Sequence, residues 1–152
     1  MPDSVFSRFH QAAVHVLTSM VSMEVKQAAG NEPFRMQADV LDVRIVYQGP
    51  YTGTVGLVLE RNLAKRIASK MLGLQNENDI LDDMIDDTAR ELINVICGRY
   101  LTIMYGEKPV LNMSVPLITR VDGKVCRRLL TDRQAYAFRI DGFPVLGVVK
   151  PA

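Results

Sequence analysis

The sequence predicts an α+β fold in which a largely antiparallel sheet carries helices packed on one face. Two observations lead there. Strand-like segments come in pairs joined by short turns, 36–47 with 53–60 near the start and 134–140 with 145–149 at the end. Helix-periodic segments are grouped between those pairs instead of alternating singly with strands.

Taken in order, Ser4 is the expected cap of a first helix running to around Met23, with Phe6, Phe9, Ala13, Val16, Leu17 and Met20 as its apolar stripe. His10 and His15 lie on it, five residues apart and therefore on different faces. Glu24 and Gln27 fall at its fraying end. Segment 27–34 is a loop broken by Gly30 and Pro33. Met36 to Tyr47 reads as a strand rich in β-branched and aromatic residues. Gln48-Gly49-Pro50 turns the chain into a return strand, Gly53 to Glu60. Asn62 caps a short helix with Leu63, Ile67, Ala68 and Met71 inward, and Gly73 stops it as a left-handed C-cap.

The longest periodic stretch follows, from Asp82 to Gly106. Leu81, Ile85, Ala89, Leu92, Ile96 and Ile103 form one apolar arc at about 100° per residue. Arg99 falls beside this arc, where its stem is expected to pack on the core. Beyond the helix, Leu111 to Thr119 is extended, with Pro116 marking an edge or a bulge. Asp122-Gly123 reads as a hairpin turn into a strand over 125–130. Strands over 134–140 and 145–149 complete the sheet. The last of these, VLGVV, is an uncharged edge suited to pairing with a second copy.

Composition removes several functions. The 152 residues suit a single domain over 1–152. A net charge of +1 with scattered basic residues gives no nucleic-acid footprint. No segment reaches the roughly 20 apolar residues of a membrane helix, and the start lacks a signal peptide's basic head and apolar run. A cytoplasmic protein is expected, with Cys97 and Cys126 as buried or half-buried thiols. There is no glycine-rich phosphate loop, no serine elbow and no cysteine with a plausible histidine partner. Asp82, Asp83, Asp86 and Asp87 lack the loop spacing of a calcium site and read as a cluster favouring the helix dipole. A self-contained catalytic apparatus is absent. Any chemistry must use machinery supplied by a partner.

What remains is the polar face of the long helix: Asp83, Asp87, Glu91, Asn94 and Gly98, spaced by three or four residues. Glu91 and Asn94 sit side by side one turn apart. Asn is a poor helix-interior residue, and Gly98 costs about 0.8–1 kcal/mol against Ala. A glycine on such a face suits close approach of another surface.

The segment DTARELINVICG, Asp87 to Gly98, resembles the helix signature of the CheC/CheX/FliY chemotaxis phosphatases, Glu-x-x-Asn followed by an apolar pair and Gly. GTVGLVLERNLAKRIASKMLG resembles the strand and helix that precede it in CheX-type members, and NMSVP the strand that follows it. Arg90 stands where a small residue is usual, and Val95 where Met is common. The first helix carries no second Glu-x-x-Asn, so the single-site CheX type is the nearer likeness. The resemblance implies a CheC/CheX-like fold and a protein aspartyl-phosphate phosphatase acting on phosphorylated CheY, with Asn94 orienting water and Glu91 meeting the partner's lysine. It implies partner contacts at Asp87, Arg90 and Gly98, no cofactor bound by this chain, Mg2+ held by the partner, and a homodimer. The alternative it leaves is a module that docks a response regulator or flagellar switch component without hydrolysing it.

Overall fold

The structure, a computed structural model, describes residues 2–28, 33–37 and 39–151, with side chains from Val5 onward. Among these residues the frame is one antiparallel sheet of seven strands. These are β1 (Val25–Gln27), β2 (Val40–Gln48), β3 (Gly53–Glu60), β4 (Asn112–Met113), β5 (Leu117–Val121), β6 (Ala135–Ile140) and β7 (Phe143–Pro151). Their order is β1-β6-β7-β3-β2, with β4 and β5 in succession along the outer side of β2.

Alternation along the strands divides the two faces. Leu41, Val43, Ile45 and Tyr47 of β2, Val55, Leu57 and Leu59 of β3, and Phe138 and Ile140 of β6 point into the main core. Three long helices cover that face: α1 (Pro2–Val21), α2 (Arg61–Leu72) and α3 (Asp82–Tyr105). Gly147 on β7 allows α1 to sit close, because a Cβ there would strike the Phe9 ring. Phe9 also packs tilted on Tyr100 of α3, centroids 6.2 Å apart, so it joins sheet, α1 and α3. A smaller apolar cluster lies on the opposite face, where Val40, Val58, Leu146 and Val148 meet Cys126 and Leu129 of a short helix α4 (Gly123–Leu130).

The antiparallel sheet, the long helices on one face and the strand pairs follow the expected pattern, and Gly73 is a left-handed C-cap at φ 67°. Several local expectations are corrected. Segment 125–130 is helix, not strand. Asp122 does not start a hairpin; its carboxylate accepts the Val125 N–H at 3.0 Å and caps α4. Asp141-Gly142 makes the two-residue hairpin turn between β6 and β7, both residues at positive φ, as such a turn between twisted strands requires. Glu24 and Gln27 are not at a helix end. Ser22 takes φ 54°, Met23 N–H closes back on the Leu17 carbonyl, and the chain leaves to form β1.

The helix α1 already runs from Pro2, so Ser4 is not its cap. Likewise α2 starts at Arg61, with Glu60 in the cap position instead of Asn62. The expected break at Gly30 lies outside the described residues. The strand begun at Met36 instead starts at Val40, because Asp39 takes a left-handed φ of 61° and Gln37 N–H is held by the Glu60 carboxylate. Finally, VLGVV is not an edge. β7 lies between β3 and β6 with Val145 to Val149 buried, and the open edges are β1 and the β4/β5 side.

Candidate functional site

The polar face of α3 is set by what its other side must cover. Ile85, Ala89, Leu92, Ile93, Ile96, Cys97, Tyr100 and Leu101 are buried against the sheet and neighbouring helices. This arc is displaced from the predicted one toward Ile93 and Tyr100, since Tyr100 packs on Phe9. Two expectations fail for that reason. Arg99 is exposed instead of lying on the core, and Leu81, at 63% exposure, is only the N-cap. The acidic first half of the helix is partly paired: Asp82 meets Arg61, and Asp87 accepts from Arg90 at 3.1 Å.

Asp87, Arg90, Glu91 and Asn94 all line one side of an open groove of about 460 Å³. Gly98 lies farther along the helix in an adjoining hollow of about 280 Å³, and Met113 borders both. A Cβ added at Gly98 would meet nothing within 4 Å, so no packing among the described residues demands the glycine. The Arg90–Asp87 pair neutralises charge at the rim. The side chains of Glu91 and Asn94, in contrast, make no hydrogen bond or ion pair with the described residues. Their polar heads are available to another molecule. Cys97 shares the helix but faces the core, where burial pushes its thiol up to about 12. It stays protonated at neutral pH and is no nucleophile.

The opposite wall of the groove consists of Met113, Ser114, Val115 and Pro116, which residue patterns alone did not assign to the site. A bulge builds it. Tyr47 pairs with Met113 and Arg44 with Leu117, so Val115 and Pro116 together oppose the single residue Ile45. Ser114 locks the segment on one side: its N–H donates to the Val46 carbonyl at 2.8 Å, and its Oγ accepts from the Val46 N–H at 3.0 Å. Pro116, with no N–H to contribute, sits where the ladder is interrupted. It was the one signal in the sequence that a bulge lay here.

With this geometry in place, comparison with known proteins decides the family. The sequence profile of the family described as "Chemotaxis phosphatase CheX" matches residues 42–139, more than half the chain and all of the site. The chain belongs to the CheX family. Solved CheX-like structures share its fold at low identity. Chemotaxis protein CheX from Vibrio vulnificus is 18% identical, with a TM-score of 0.70 over 100% of this chain and 99% of that one. CheX from Borrelia burgdorferi, solved as a complex with CheY, BeF3 and Mg2+, is 18% identical, with a TM-score of 0.60 over 96% of each chain. FliY from Thermotoga maritima is 17% identical, with a TM-score of 0.62 over 97% of this chain and 85% of that one. No curated protein matches. No helix among the described residues is long and apolar enough to cross a membrane.

Proposed function

We propose that this CheX-family chain acts as one domain, an aspartyl-phosphate phosphatase of the cytoplasm whose substrate is a phosphorylated CheY-type response regulator. One observation carries the reading: Glu91 and Asn94, one turn apart on a long helix, line a groove without side-chain partners of their own among the described residues. An amide and a carboxylate do not hydrolyse an acyl phosphate unaided. They complete a site whose phosphate, lysine and Mg2+ belong to the other protein, the kind of partner present in the Borrelia complex.

Asn94 inserts beside the phosphoryl group and orients a water molecule in line with phosphorus. An amide suits this task because it both donates and accepts hydrogen bonds without carrying negative charge toward the phosphoryl oxygens. Glu91 pairs with the regulator's lysine and fixes the docking. Asp87, Arg90 and Gly98 border the same contact, with Gly98 leaving room for the partner's backbone.

The reading includes a homodimer. Its support is the outer side of β5, an unpaired strand edge carrying Leu117 at 70% exposure, and not the inner strand β7. The activity is tested by phosphate release from phosphorylated CheY with and without the protein. Accelerated release is expected. Binding with no acceleration selects the docking module instead.

A further inference from the structure

The two walls of the groove differ in chemistry. The α3 wall carries Glu91, Asn94 and the Asp87–Arg90 pair, whereas the bulge wall presents Met113 and Val115 to solvent. Val115 is 84% exposed and Met113 37%. A valine gains nothing from water, and its exposure is imposed: the bulge spends two residues opposite Ile45 and is pinned by both Ser114 bonds to Val46. Bulges beside functional sites re-aim side chains in this way.

A small acyl phosphate would meet an apolar wall and a wall that holds two carboxylates with Arg90 already paired to Asp87, a poor match for an anion. A folded protein surface that sets a cation against Glu91 and an apolar side chain against Val115 fits both walls at once. On the phosphatase reading above, we infer that the 113–116 bulge is the apolar half of the docking surface for the phosphorylated response regulator. Val115 and Met113 determine its affinity, while Asn94 serves the chemical step. The regulator therefore presents an exposed apolar side chain next to its active-site lysine.

The test compares wild type, Val115→Ser, Val115→Leu and a control, Leu72→Ser, at an exposed leucine on α2. Each is assayed for hydrolysis of phosphorylated CheY from the same cell and for binding to BeF3-activated CheY. Val115→Ser should raise KM and Kd roughly tenfold with kcat held, as expected for losing burial of one aliphatic side chain. Val115→Leu should stay near wild type, and Leu72→Ser should change nothing. Equal KM and Kd in wild type and Val115→Ser overturn this inference while leaving the phosphatase reading standing. A fall in kcat at unchanged KM also overturns it. So does a loss of self-association in Val115→Ser, which would mark the bulge as a contact between copies. A wild-type protein that neither binds nor hydrolyses phosphorylated CheY removes both this inference and the reading beneath it.

Discussion

Asn94, Glu91 and Gly98 share one exposed line on α3, yet their substitutions should separate cleanly. Asn94 is partly exposed and its side chain makes no bond among the described residues, so Asn94→Ala should keep the fold and lose phosphatase activity. Circular dichroism together with phosphate release checks this; full activity would remove Asn94 from the mechanism. Glu91→Ala should chiefly weaken binding, and Glu91→Lys should abolish it by placing like charges in contact. Titration against BeF3-activated CheY reads the difference, and equal affinity in both variants would contradict the lysine pairing. Gly98→Ala gives a sharper contrast. With open space around the added methyl, the helix gains about 0.5–1 kcal/mol. Melting temperature should therefore rise while affinity for the regulator falls. A rise in both would show that no partner backbone comes close at this position.

At the scale of elements, local signals were reliable where one short-range interaction decides and ambiguous where two structures share a signal. Gly73 ends α2 because only a residue tolerant of positive φ fits a left-handed cap, and that demand is visible in sequence. Asp122-Gly123 is different. The dipeptide suits a hairpin turn, and Asp equally suits a helix N-cap. What decided was the amphipathic α4 closing over Val58, Leu146 and Val148 on the second face of the sheet, a surface formed by strands distant in the chain. Asp122→Ala should therefore cost about 1 kcal/mol locally, the usual value of a side-chain cap. Amide exchange should accelerate severalfold across 123–130 and remain unchanged in α3. Uniform acceleration would mean that α4 does not open as a separate unit.

At the scale of the whole molecule, the proposed dimer must use an edge that the sheet order leaves open. β7 is closed off by β3 and β6, which leaves the β5 side and the short β1 as edges. Sedimentation at micromolar concentration should show a dimer, and Leu117→Lys should shift it toward monomer by placing a charge on that edge. Wild type sedimenting as a monomer would overturn the assembly without touching the site.

The sequence by itself determined the α+β class, the long helix with its polar line, and the one-turn spacing of Glu91 and Asn94 on it. Each of these depends on periodicity or on spacing within a few residues, which the chain carries locally. Only the tertiary structure decided that β7 is internal, that Arg99 faces water while Tyr100 does not, and that the site has a second wall. Those outcomes depend on which distant segments meet. The groove exists because residues 113–116, well beyond Asn94 in the chain, return along β2 and bulge there, and no local pattern around Glu91 or Asn94 encodes that encounter.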